Sequence, residues 1–227
     1  LPCLHPLAEQ RACETAQVRR GCLQGIEVAG TLDSGAELLQ GKALDGEQVA
    51  SIGSQDMNDE VWIKLATRVN ELVAMPDVSG VVITHGTDTI EETAYFLNLV
   101  VKSGKPVVLT AAMRPATALS ADGPLNFYNA VALAASREAA NRGVLVVVND
   151  WIHGASSLTK TSTTAVQTFL SPVSGLIGTV AYGDIEFYRG PVGKNTSNSV
   201  FTVSNNMPRV DIITAHEKIE GAIIDPA

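Results

Sequence analysis

Three short, uniformly apolar runs, at residues 81–83, 106–110 and 144–148, alternate in this chain with stretches of helical period. Strands that are apolar on both faces must be covered on both faces. Parallel strands joined by crossover helices satisfy that requirement. The sequence therefore predicts an α/β fold, a mostly parallel sheet flanked by helices on both faces. A further strand is expected at 48–52, ahead of a helix capped by Asn58 or Asp59, in which Trp62, Leu65, Ala66, Val69, Leu72 and Val73 recur at three- and four-residue steps. Pro76-Asp77 closes that helix. Two more helices are read at about 91–100 and at 126–139.

Beyond Trp151 the helical rhythm fades. Residues 175–181 and 185–188 read as a C-terminal hairpin turning at Tyr182-Gly183-Asp184. The expected organisation is a poorly readable segment at 1–43 and one α/β domain at 44–190. A polar linker at 191–209 and a stub at 210–227, too short to enclose a core, complete it.

In open α/β sheets small molecules bind beyond the carboxyl ends of the strands. Three such ends carry polar loops: Ser54-Gln55, Thr87-Asp88, and Ala112-Met113-Arg114. Ser54 and Gln55 offer neutral donors suited to a carboxylate, and Asp88 can take a cationic amine. Together they suit a small zwitterion such as an amino acid. Thr87 would sit beside it. A threonine hydroxyl becomes a nucleophile only when a base removes its proton, and Lys160, set among Thr159, Thr161 and Ser162, is the candidate base. Plainer roles stand beside these. Thr89 with Glu92 fits a capping box, and His85 fits a satisfied structural histidine. Arg114 serves either as a loop anchor or as a substrate contact.

A net charge of −8 and the lack of an aromatic-basic stripe argue against nucleic acid. No run approaches the length of a membrane span, and no export signal is visible at the start. The histidines at 5, 85, 153 and 216 form no metal-binding arrangement, and no nucleotide-binding glycine motif occurs, so neither metal nor cofactor is expected. Cys3, Cys13 and Cys22 match no zinc pattern. One disulfide fits the count, although three unpaired thiols is the reading adopted.

The ordered motifs also resemble a known family. Gly46-Glu47-Gln48-Val49-Ala50-Ser51-Ile52-Gly53-Ser54-Gln55-Asp56-Met57-Asn58-Asp59, Ile83-Thr84-His85-Gly86-Thr87-Asp88-Thr89, Ala112-Met113-Arg114-Pro115 with Ser120-Ala121-Asp122-Gly123-Pro124, and Arg142-Gly143-Val144-Leu145-Val146-Val147 with Thr159-Lys160-Thr161 are similar to bacterial type II L-asparaginases and glutaminase-asparaginases. The resemblance runs from about residue 44 to 188 and covers the larger, N-terminal domain of that family. It implies hydrolysis of L-asparagine, with L-glutamine the alternative amide, to the acid and ammonia through an acyl-enzyme, without a cofactor. Ser54 and Gln55 would hold the substrate α-carboxylate, Asp88 its α-amine, and the Ala112 carbonyl the amide. Thr87, Asp88 and Lys160 would form the second catalytic group, with Thr87 helping to activate water or the acyl transfer. The resemblance further implies a homo-oligomer, a homotetramer in the family, and a periplasmic or secreted location.

Two departures from the family pattern are visible. The opening Thr-Gly-Gly-Thr-Ile segment, whose first threonine is the family's primary nucleophile, does not occur, nor does the tyrosine that follows it. Ala29-Gly30-Thr31-Leu32 is only an echo, with no strand legible before it and too close to Ser54. The smaller C-terminal α/β domain is expected to be missing. The alternative these departures carry is a catalytically inactive homologue that at most binds small amino acids or partner subunits.

Overall fold

The computed structural model describes residues 26–32, 44–190, 193, 195–205, 207–210 and 212. The three cysteines, His5 and His216 lie outside the described residues.

The centre of the molecule is three parallel strands: β3 (Val78–Thr84), β4 (Val107–Thr110) and β5 (Val144–Val148). Every residue of β4 and β5 is buried, as strands covered on both faces require. Helix α1 (Asp59–Ala74) and helix α2 (Ile90–Val100) cover one face. Helix α3 (Gly123–Ala134) covers the other, where Ala130, Val131, Leu133 and Ala134 pack on Val82, Val108, Leu145 and Val147. In α1 the Asn58 side chain accepts a hydrogen bond from the Val61 N–H at 3.1 Å, a cap worth about 1 kcal/mol. Leu65, Ala66 and Val69 on its inner face are completely buried, each large side chain contributing about 1.5–3 kcal/mol.

The expectation of a mostly parallel sheet is wrong. Among the described residues the main sheet has eight strands, ordered β10-β9-β6-β5-β4-β3-β1-β2, and is mixed: two of its seven pairings are parallel and five antiparallel. At one side, β1 (Ile26–Leu32) runs antiparallel to both β3 and β2 (Leu44–Ala50). At the other, β6 (Trp151–Gly154) folds straight back on β5 through Asn149 and Asp150, whose φ angles of 51° and 65° are left-handed. Two such residues make a tight hairpin turn, a connection that can only produce an antiparallel neighbour. The sequence marks only the apolar run at 144–148, and a polar Asn149-Asp150 pair after it is equally compatible with a plain strand end, so β6 is not legible there.

The expected hairpin is present as β9 (Gly178–Ala181) and β10 (Asp184–Phe187), turning at Tyr182 and Gly183 with φ of 52° and 89°. Among the described residues the two outermost strands carry carboxylates, Asp45 and Glu47 on β2 and Asp184 and Glu186 on β10. Smaller differences also emerge. The strand expected at 48–52 ends at Ala50, and α3 stops at Ala134, followed by a single 3-10 turn at Arg137–Ala139. A separate ribbon, β7 (Thr159–Lys160) against β8 (Phe169–Leu170), lies outside the main sheet. In the stretch read as a linker, Asn195 and Thr196 are buried and Val203 packs against the core beneath α1 and α2.

Candidate active site

Parallel register brings the polar loops to one rim. Thr84 at the end of β3 lies beside Thr110 at the end of β4, and the His85 N–H continues the ladder to the Thr110 carbonyl at 2.9 Å. β1 runs the other way, so its first residues, Ile26 and Glu27, pair with Ala50 and Thr84 at this same rim. The loop leaving Ala50 therefore delivers Ser54 here.

The turn between β3 and α2 is held from below. His85 is buried, and its Nδ1 lies 2.7 Å from the Gly86 carbonyl, while Nε2 lies 3.0 Å from Thr93 Oγ1. Trp62 Nε1–H in turn donates to Thr93 Oγ1 at 2.9 Å. One proton arrangement satisfies all of these: Trp62 donates to Thr93, Thr93 donates to His85 Nε2, and His85 Nδ1–H donates to Gly86. It requires neutral imidazole. Burial depresses the His85 pKa and so favours the neutral ring, outweighing the bond to the Gly86 carbonyl, which acts in the opposite direction.

The Ser54 loop is locked to the turn. Ser54 Oγ accepts the Asp88 N–H at 3.2 Å, and Thr89 Oγ1 donates to the Ser54 carbonyl at 2.7 Å. The capping box expected of Thr89 does not form, because its hydroxyl is committed to Ser54 and makes no cap bond. Gly86 lets the two segments touch: a Cβ there would lie 2.4 Å from Ser54 Oγ.

Lys160, 73 positions beyond Thr87, comes in from the β7 ribbon. Its Nζ lies 2.9 Å from Thr87 Oγ1 and 2.6 Å from Asp88 Oδ1. The lysine side chain is 15% exposed and the aspartate 53%, so the ion pair adds about 1 kcal/mol or less to stability, and its value is geometric. The Lys160 backbone N–H donates to Glu91 Oε2 in the first turn of α2. The neighbouring Glu92 carboxyl has its pKa raised by burial, against a smaller lowering from a hydrogen bond to its own backbone, with the charge of Glu91 adding a little more to the rise.

Of the residues expected in a site, Thr87, Asp88, Lys160 and Ser54 are thus in direct contact. Gln55 is exposed beside Ser54, with its amide 3.3 Å from Asp56 Oδ2. Ala112 follows β4 between fixed neighbours: the Ala111 carbonyl accepts from Asn126 Nδ2, and the Met113 N–H donates to Asp122. Arg114 is a loop anchor, its N–H on Asp122 Oδ1 and its guanidinium on the Ser120 carbonyl. Thr31 pairs with Gly80 and Leu44, at the opposite end of β1 from the rim. Glu91, Thr93 and Trp62 were not legible as parts of this framework. Their helical spacing marks them only as helix residues. Among the described residues no group of three or more His, Cys, Asp or Glu could hold a metal ion, and no helix is long and apolar enough to cross a membrane.

A family model described as "Asparaginase, N-terminal" matches residues 9–193. The chain belongs to the asparaginase family. Relatives in this family include the probable periplasmic L-asparaginase of Haemophilus influenzae, 55% identical over 76% of this chain and 50% of that protein. The L-asparaginase 2 of Bacillus subtilis is 45% identical over 97% of this chain and 58% of that protein. The glutaminase-asparaginase of Acinetobacter glutaminasificans is 48% identical over 75% and 52%. The crystal structure of a probable cytoplasmic L-asparaginase from Campylobacter jejuni superposes with a TM-score of 0.75 at 48% identity, over 78% of this chain and 57% of that one. The chain thus spans about half the length of the asparaginases it matches.

Proposed function

We propose that this chain is an asparaginase-type amidohydrolase that releases ammonia from L-asparagine by threonine-based acyl transfer. The observation that carries this reading is the Lys160 amine lying 2.9 Å from Thr87 Oγ1 and 2.6 Å from Asp88 Oδ1 at the strand-end rim. In its neutral form the amine takes the Thr87 proton, and Oγ1 attacks the side-chain amide carbon. The tetrahedral adduct collapses by breaking the C–N bond, and the leaving nitrogen takes the proton from Lys160 as ammonia departs. Lys160, neutral again, takes a proton from the water that attacks the threonine ester and returns it to Oγ1 as L-aspartate leaves.

Specificity in this proposal comes from the zwitterion. The Ser54 hydroxyl and the Gln55 amide hold the α-carboxylate, Asp88 the α-amine, and the Ala112 carbonyl the amide nitrogen. L-Glutamine is the second substrate, a proposal supported by the glutaminase-asparaginases among the relatives. A homotetramer belongs to the same proposal, with light scattering as its check.

A second reading is favoured by one observation. The Thr31 backbone sits at the far end of β1, so it is not available as a nucleophile beside Thr87. On that reading the chain binds small amino acids without turning them over. Calorimetry with L-aspartate alongside ammonia release from L-asparagine separates the two. Heat together with ammonia supports the hydrolase, heat alone supports the binder, and the absence of both ends the proposed site.

A further inference from the structure

Lys160 stands on a two-residue strand outside the main sheet, and something must fix its backbone before its amine can serve Thr87. Its partner strand does not do so. In the antiparallel pair, Lys160 faces Phe169, and the hydrogen bond leaving this end of the ribbon comes from the next residue, the Thr161 N–H to the Thr168 carbonyl. The Lys160 N–H points the other way, onto Glu91 Oε2. Leu158, just before the ribbon, and Phe169 within it are buried in the core cluster that also contains Ile90 and Ala94. A carboxylate accepting a backbone N–H makes a stronger hydrogen bond than a neutral acceptor does.

We propose that Glu91 is a positioning residue, which pins the Lys160 backbone through its carboxylate and thereby holds the Lys160 amine on Thr87 and Asp88. The inference rests on the reading of Lys160 as the base of this site. It differs from the ordinary role of an acidic residue in a first helical turn, which is to offset the helix dipole. Pinning needs an acceptor oxygen, and glutamine supplies one. Dipole compensation needs a charge, and glutamine does not supply it.

The test uses the whole chain as wild type, Glu91→Gln and Glu91→Ala. Two measurements do not depend on turnover: hydrogen exchange at the Lys160 amide, and the rate of Lys160 acetylation by acetic anhydride read by mass spectrometry. Glu91→Ala is expected to raise both by about tenfold or more, the scale set by losing a hydrogen bond to a charged group. Glu91→Gln is expected to stay within about threefold of wild type, because its amide oxygen replaces the acceptor. Where hydrolysis is measured, Glu91→Ala lowers kcat with little change in KM, and Glu91→Gln restores it. Equal exposure of Lys160 in the glutamine and alanine variants would overturn the proposal, as would no change in either. If Glu91→Ala does not fold, the wild type decides: a Lys160 amide exchanging as fast as an open loop amide would also overturn it. Failure of the wild type to hydrolyse L-asparagine would count against the hydrolase reading, while the exchange and acetylation results would still decide the role of Glu91.

Discussion

Replacing Gly86 with alanine tests how closely the candidate site is built. A Cβ at this position would lie 2.4 Å from Ser54 Oγ and 2.7 Å from Ser54 Cβ. Ordinary contacts between such atoms begin near 3.5 Å, so one of the two segments must retreat by about 1 Å. Ser54 cannot retreat freely. Its hydroxyl accepts the Asp88 N–H and its carbonyl accepts the Thr89 hydroxyl. The β3 turn is no freer, because His85 holds the Gly86 carbonyl from below. Overpacking of this kind costs about 1–3 kcal/mol. A displacement of about 1 Å in a group that positions substrate can cost about 100-fold in turnover. Urea unfolding followed by circular dichroism reads the first quantity, and calorimetry with L-aspartate reads the effect on the site. Gly86→Ala is expected to lose about 1–3 kcal/mol and to weaken binding. A variant with wild-type stability and wild-type affinity would refute the packing argument outright.

Further outcomes follow from other contacts. Thr93→Val strips the His85 ring of its partner at Nε2 and is expected to cost about 2 kcal/mol in urea unfolding. Asn58→Ala removes the α1 cap and is expected to cost about 1 kcal/mol, with the midpoint shifted and the slope unchanged. His153 is fully buried, and burial lowers its pKa from 6.5 to about 4. Above pH 6.5 folded and unfolded chains both carry it neutral. Between 6.5 and about 4 only the unfolded chain takes up the proton, so stability falls as pH drops, by up to about 1.4 kcal/mol per unit. Urea titrations at several pH values should show a shallower decline in His153→Gln; an identical slope would refute this account of the histidine.

The core was legible where the signal was local. The apolar runs that became β3, β4 and β5 and the buried stripe of α1 are short-range patterns, and so is the turn at Tyr182-Gly183. Strand direction was not, since it depends on connections. Asn149-Asp150 can end a strand or reverse it, and the choice is made by contacts from Asn126 and Asn129 on α3. The site divides in the same way. Strand-end chemistry drew attention to Thr87, Asp88 and Ser54, and the hydroxyl-flanked Lys160 added a base. The supports were hidden because each spans elements: Thr89 turned from its own helix to Ser54, Glu91 reached a ribbon far along the chain, and Trp62 met Thr93 across two helices. Spacing along a helix cannot distinguish such contacts from solvent-facing positions.

The central claim is that Thr87 and Lys160 act on the substrate as one unit. Ammonia release from L-asparagine measured for wild type, Thr87→Val, Lys160→Met and the double variant tests it most directly. General-base assistance is worth about 100- to 10,000-fold, so each single variant should lose activity on that scale, and the double variant should lose almost nothing more. Losses that multiply in the double variant, or full activity in Lys160→Met, would contradict it.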